Sequence, residues 1–163
     1  MKATADQIRT ISAQDLINNP KILYVGVGGG MELLQFSYFS RQKSGVIGVD
    51  VVDEMLEASR KNFVIAEEQN DWFKSEFVEL RKGDALNLPI ENESIDVAAQ
   101  NCLFNIFKAE DLTKALQEMY RVLKPGGRLV MSDPICEQEM NEELRNNDHL
   151  RALCLSGSIP LKD

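Results

Sequence analysis

Glycines at positions 26, 28 and 30 follow the apolar run Ile22-Leu23-Tyr24-Val25, and Asp50 closes a second apolar run, Val46-Ile47-Gly48-Val49. Glycines at this spacing remove the Cβ atoms that would block a sharp bend and keep a ligand off the backbone. A helix opening after them, at Met31-Glu32-Leu33-Leu34, offers unpaired N–H groups. Asp50 is an acceptor placed where a pair of ribose hydroxyls would lie, so the two features together predict a nucleotide-type site. The alternative is structural: many strand-to-helix turns need a glycine for geometry alone, and Asp50 then faces only solvent.

Thiols are the second reactive set. Cys102, Cys136 and Cys154 are few and odd in number, and they match neither a disulfide framework nor a CxxC metal clip. They read as free thiols. Ligands of open parallel sheets bind beyond the carboxyl ends of the strands, and Cys102 and Cys136 each fall just past a predicted strand. Cys154 folds back over them if its segment returns to the sheet. The ordinary fate of a free cysteine is that of a small buried hydrophobe, and Cys136 fits that description best.

The elements that must carry these residues follow from periodicity. Strands are predicted at 21–25, 45–49, 76–81, 95–100 and 128–132. Helices are predicted at 30–41, nearly all buried, at 53–68 and at 109–123, with a further single helix over 137–156. Thr4 to Asn19 suits a surface helix or helix pair, ended by Asn18-Asn19-Pro20. Lys124-Pro125-Gly126-Gly127 is a helix stop, and Asp84 to Ile90 is a loop. Trp72 is expected to anchor the second helix against the third strand. Strands alternating with helices predict an α/β fold, a doubly wound, mostly parallel sheet with right-handed crossovers. A single domain over 1–163 is expected: an N-terminal helical segment at 1–20, a ligand-binding core at 21–133 and a C-terminal helical segment at 134–163.

Composition narrows the partners. The 163 residues carry a formal net charge of −8, which argues against nucleic acid and against anionic membrane surfaces. No apolar run approaches the roughly 20 residues of a membrane span, and Met1 to Asp15 lacks a signal-peptide core. A cytoplasmic protein acting on a small molecule is the expectation.

Five motifs in order resemble the class I S-adenosylmethionine-dependent methyltransferases. They are Gly26-x-Gly28-x-Gly30, Asp50 ending the second strand, Gly83-Asp84-Ala85 after the third, Asp96 in the fourth, and Arg121-Val122-Leu123-Lys124-Pro125-Gly126-Gly127 before the fifth. The resemblance covers about Lys21 to Asp133. It implies the Rossmann-like class I fold with S-adenosyl-L-methionine as cofactor. Gly26, Gly28 and Gly30 would cradle the methionine moiety, Asp50 would accept from both ribose hydroxyls, and Val51 would pack on the adenine. Asp84 would accept from the adenine amino group, the Ala85 N–H would meet a ring nitrogen, and Asn101 would join the cofactor set. Asp84 alternatively just caps a turn. The family commonly has an acid where this chain has Tyr24, which points to weaker cofactor binding.

A narrower resemblance lies downstream. Asn101-Cys102-Leu103-Phe104-Asn105, and Glu142-Glu143-Leu144-Arg145 leading to Leu153-Cys154-Leu155-Ser156-Gly157-Ser158, are similar to the arsenite methyltransferases. By that resemblance Cys102 and Cys154 bind the substrate, trivalent arsenic. Soft thiolates suit a thiophilic centre, and no catalytic acid or base and no metal is then required. Two other functions stay open: a quinone-biosynthesis-type C- or O-methyltransferase, which would want a base, and a non-catalytic methyltransferase-like binding module. The family's sheet has seven strands, and Leu161-Lys162-Asp163 stops before the last two, as in a fragment or a natural short form. The fifth strand would then present an open edge, expected to form a homo-oligomer, to aggregate, or to be covered by the segment after Asp133.

Overall fold

The computed structural model describes residues 19–160. The helix or helix pair expected within 4–19 lies, but for its last residue, outside the described residues. Five strands form one parallel sheet: β1 (Ile22–Val25), β2 (Val46–Asp50), β3 (Val78–Lys82), β4 (Ile95–Asn101) and β5 (Leu123–Ser132), in the order β3-β2-β1-β4-β5. Three helices cross between them: α1 (Met31–Ser37), α2 (Asp53–Gln69) and α3 (Ala109–Val122). The α/β doubly wound reading is therefore correct.

Side chains alternate across each strand, so a sheet covered on both faces needs apolar residues at every position. The central strands obey this. Leu23, Val25, Ile47, Val49 and Ala98 pack with Ala115, Met119 and Val122 of α3. Ile22, Tyr24, Val46, Val97 and Ala99 pack on the other face with Leu33 of α1 and with Leu56, Phe63 and Ala66 of α2. Among the described residues no helix is long and apolar enough to cross a membrane.

Several sequence expectations change. The helix expected at 30–41 is only Met31–Ser37, with Leu33 and Ser37 its buried residues. The Ser37 hydroxyl donates back to the Leu33 carbonyl at 2.7 Å and competes with the helix for that acceptor. The third strand starts at Val78, after a single 3₁₀ turn at Ser75–Phe77. Helix α3 ends at Val122, as the helix stop expects, but β5 starts at Leu123 rather than at 128, so Lys124 to Gly127 lies within the strand. Trp72 stacks edge-on against Tyr38, just past α1, as well as against Phe73, so it anchors the α1 side of the sheet.

The largest change is at 137–156. Instead of one helix there are two short ones, α4 (Glu142–Arg145) and α5 (Asp148–Ala152). Two-residue strands β6 (Ile135–Cys136) and β7 (Ile159–Pro160) pair in parallel on either side of them. Asn141 accepts from the Leu144 N–H at 2.8 Å and Asn147 from the Leu150 N–H at 3.0 Å, so each asparagine starts a new helix. The segment after Asp133 thus pairs with itself rather than along β5. Among the described residues no strand covers the outer edge of β5, and Met131 there is half exposed.

The last two sequence motifs before β5 brace the opposite end of the sheet. Asp96 accepts from the Lys21 N–H at 2.8 Å and from the Lys124 ammonium at 2.7 Å. Arg121 donates twice to Glu118, and also to the carbonyls of Leu88 and Ile90 and to the Asn92 side chain, over 2.7–3.0 Å. Glu118 in turn accepts from the Leu88 N–H at 2.7 Å. Helix α3 therefore holds the loop that begins at Asp84. Replacing Arg121 with alanine orphans two buried carbonyl directions. Since Arg121 is 30% exposed, the loss expected is about 2 kcal/mol, read as a thermal midpoint lower by about 5 °C.

Candidate active site

The glycine turn sits at the carboxyl end of β1. Gly26, Gly28 and Gly30 have φ of 83°, 51° and 82°, the left-handed region that side chains disfavour. A Cβ at Gly30 would meet Phe63 at 2.9 Å and Ser59 at 3.0 Å, whereas one at Gly28 would meet nothing within 4 Å. Gly30 is thus fixed by packing against α2, while Gly28 leaves open room above the backbone. Helix α2 also ties the turn down: Ser59 donates to the Gly28 carbonyl at 3.1 Å and Asn62 to the Gly29 carbonyl at 2.8 Å. Neither residue was singled out from the sequence, because both lie in a helix that reads simply as amphipathic.

Asp50 ends β2 beside that turn. One carboxylate oxygen accepts from the Val27 N–H at 2.9 Å and the other from the Val52 N–H at 2.9 Å. Each oxygen keeps a second lone-pair direction, so the group is oriented without being saturated. Val51 beside it is 60% exposed, an apolar surface with no packing duty. Gly83 N donates to the Asp50 carbonyl at 3.0 Å, which brings the next loop alongside. There Asp84 accepts from the Leu86 N–H at 2.9 Å, the turn-capping role, through one oxygen only. Ala85 packs half-buried against the α3 side of the core. Asn101 closes β4 opposite Ser132.

Cys102 follows immediately, with φ of 58°, and Cys154 has φ of 60°. A left-handed conformation at a residue with a Cβ costs on the order of 1 kcal/mol, so each cysteine is held by its surroundings. The structure brings the two thiols together. Cys154 donates to the Cys102 carbonyl, and the two thiols lie close enough for the charge of one to raise the pKa of the other. Both are half-buried and free of disulfides. Cys136 is directed elsewhere: its thiol donates to the Ser158 carbonyl at 3.5 Å, inside the β6–β7 pair. Leu103, next to Cys102, lies 3.5 Å from where a Cβ at Gly26 would be, so thiol pair and glycine turn are neighbours.

Asp133, just past β5, joins this cluster and was missed in the sequence. It accepts from the buried Gln100 carboxamide and from the Asn105 N–H. Burial pushes both thiols above their ordinary range, and the Asp133 charge adds to it at each. At Cys154 the neighbouring Cys102 contributes more than Asp133 does. Burial likewise pushes the Tyr24 phenol up, with Glu32, Cys102 and Asp133 each adding to the effect. Tyr24 is therefore a neutral group, its ring packed against Phe36. Because a raised thiol pKa delays thiolate formation, alkylation of Cys102 and Cys154 should rise only at higher pH than for a free cysteine. Asp133→Asn should move that pH profile down without abolishing the offset that burial causes. A stopped-time iodoacetamide titration with mass readout checks both points.

The residues fit S-adenosylmethionine. The left-handed glycine turn with open space at Gly28, the oriented carboxylate of Asp50 and the exposed apolar surface of Val51 offer room, acceptor and stacking face at the adjacent carboxyl ends of β1 and β2.

Comparison with known proteins agrees with this geometry. Residues 23–131 match the methyltransferase domain family. The mouse arsenite methyltransferase is 30% identical over 156 residues, covering 94% of this chain and 41% of that protein. The demethylmenaquinone methyltransferase of Deinococcus radiodurans is 34% identical over 124 residues, covering 76% of this chain and 47% of that protein. The crystal structure of an arsenic(III) S-adenosylmethionine methyltransferase from Chlamydomonas reinhardtii superposes with a TM-score of 0.69 at 24% identity. It covers 86% of this chain and 47% of that one, a likeness of fold. The chain spans about two fifths of the length of the arsenite methyltransferases it matches. On the extent of the family match and the shared Rossmann-like class I architecture, the chain belongs to the methyltransferase domain family, whose cofactor is S-adenosylmethionine.

Proposed function

We propose that this chain is the cofactor- and substrate-binding part of an S-adenosylmethionine-dependent methyltransferase acting on trivalent arsenic. The observation that carries the reading is the thiol pair: Cys102 and Cys154, far apart in sequence, meet beside the glycine turn in strained backbone conformations. Strained residues persist where the surroundings over-determine them, and such sites are commonly functional. The arsenite methyltransferase relatives support the same reading.

Bound S-adenosylmethionine supplies an electrophilic methyl group on a sulfonium. This chain's residues would hold it: Gly26, Gly28 and Gly30 against its aminoacid end, Asp50 and Val51 at ribose and adenine, and Asp84, Ala85 and Asn101 at the edge of the adenine site. Cys102 and Cys154 would take arsenic as a dithiolate. Their two protons leave as water with two hydroxyl groups of arsenous acid, and the arsenic lone pair stays free to attack. No base is then needed at the acceptor. While the thiols are protonated this exchange takes up and releases no net proton, so arsenite affinity should stay level as pH falls below the raised thiol range, whereas the rate of capture should fall, because the thiolate is the attacking form. Positioning and water exclusion by the segment around Cys154 would supply the acceleration.

The Deinococcus relative favours a second reading, C- or O-methylation of a quinone-type small molecule. For that chemistry Asp133, the carboxylate beside the thiol pair, would serve as base. Calorimetric titration of S-adenosylmethionine and then of arsenite separates the readings. Binding of both supports the arsenic assignment, cofactor binding alone moves the quinone reading ahead, and binding of neither leaves a non-catalytic module.

A further inference from the structure

Asn105 lies in the 3₁₀ turn Phe104–Ile106 and is only 5% exposed. A buried carboxamide must find partners, and this one finds them in two distant segments. Its Nδ2 donates to the Pro134 carbonyl at 2.8 Å, just past β5, and at 3.4 Å to the carbonyl of Cys154 itself. Its backbone N–H donates to Asp133 at 3.3 Å. From the other side, a Cβ at Gly157 would stand 1.8 Å from the Asn105 carbonyl oxygen, so the chain after Cys154 lies flush on this turn. Ser156 and Ser158, on either side, are buried.

Helices α4 and α5, of four and five residues, are too short to hold their own shape in water. The position of Cys154 must therefore come from what its segment docks against. We infer that Asn105 is the positioning residue that sets the spacing of the two thiols: its carboxamide latches the Cys154 segment to the end of β5, so that Cys102 and Cys154 form a preformed chelating pair for a trivalent thiophilic centre. The inference rests on the thiol-pair reading of the site and adds the element that builds the pair. The latch touches neither the thiophilic centre nor the cofactor site, and it acts only through Cys154.

Phenylarsine oxide tests the latch without any methyl transfer, because it condenses with two thiols and releases one water. Iodoacetamide takes one thiol at a time, and S-adenosylhomocysteine probes the cofactor cleft. In Asn105→Ala, phenylarsine oxide affinity is expected to fall about 100-fold, the scale of a lost effective concentration. Alkylation of Cys154 should quicken several-fold, while S-adenosylhomocysteine affinity stays within about twofold of the parent. Asn105→Asp keeps the shape and loses the donors, and should match the alanine variant. Gly157→Ala lifts the segment from outside the buried turn and should act the same way, which keeps the test alive if Asn105 variants do not fold. Parent-like phenylarsine oxide binding in folded Asn105→Asp and Gly157→Ala overturns the latch alone. An equal loss of S-adenosylhomocysteine binding reduces Asn105 to a structural residue and also overturns it. Failure of the parent to bind phenylarsine oxide overturns the latch and the thiol-pair reading together.

Discussion

Cys154→Ser and Cys102→Ser are each expected to lower arsenite affinity by about 100-fold or more, while leaving the affinity for S-adenosylmethionine close to that of the parent. The magnitude follows from chelation. When one thiolate is bound, the second is presented at the effective concentration set by the folded chain, commonly worth 10²–10⁴ in affinity. A single remaining thiol forfeits that factor. Cys136→Ser serves as the control, since the Cys136 thiol is engaged with Ser158 in the β6–β7 pair, and it should bind arsenite as the parent does. Competition against a soluble dithiol gives the affinities. Parent-like binding by both single variants would remove the pair from the substrate site and move the quinone-type reading ahead.

Asp50→Ala is expected to weaken S-adenosylmethionine binding by about 1.5–3 kcal/mol, the scale for hydrogen bonds to a charged group. The structure places the expected effect toward the upper end of that range, because the same carboxylate accepts from Val27 N–H in the glycine turn and from Val52 N–H. Its loss frees the turn as well as removing the acceptor. Asp50→Asn keeps one acceptor oxygen and should fall between the two. Calorimetry reads the series directly, and an unchanged dissociation constant in Asp50→Ala would take Asp50 out of the cofactor site.

The sheet was legible because each central strand must bury both faces, and Ile22 to Val25 and Val46 to Asp50 announce that by having almost no polar residue. The glycine turn was legible because a left-handed backbone and a close approach to Phe63 leave glycine as the residue that fits at position 30. The region after Asp133 was not. Apolar spacing through Leu144, Leu150 and Leu153 suits one helix, but Asn141 and Asn147 each precede acids and cap a fresh start. Those capping signals were in the sequence and outweigh periodicity when helices are one turn long.

The thiol pair came from resemblance, and its surroundings could not. Gln100, Asn105 and Asp133 are ordinary polar residues in sequence. Only the parallel pairing of β4 with β5 and the return of the chain at Cys154 bring them together. Local spacing carries no trace of contacts between residues so far apart. Asp84 shows the opposite case: it caps its turn through one oxygen, as a purely local reading expects.

Methyl transfer to arsenic held by Cys102 and Cys154 can be read by incubating the chain with arsenite, a monothiol reductant and S-adenosylmethionine carrying a labelled methyl group, and then separating the arsenic species. Labelled methylarsenic is expected with the parent and with Cys136→Ser, and none above background with Cys102→Ser or Cys154→Ser. Labelled methylarsenic formed equally by the Cys102 and Cys154 variants, or none from a parent shown to bind both arsenite and cofactor, would contradict it.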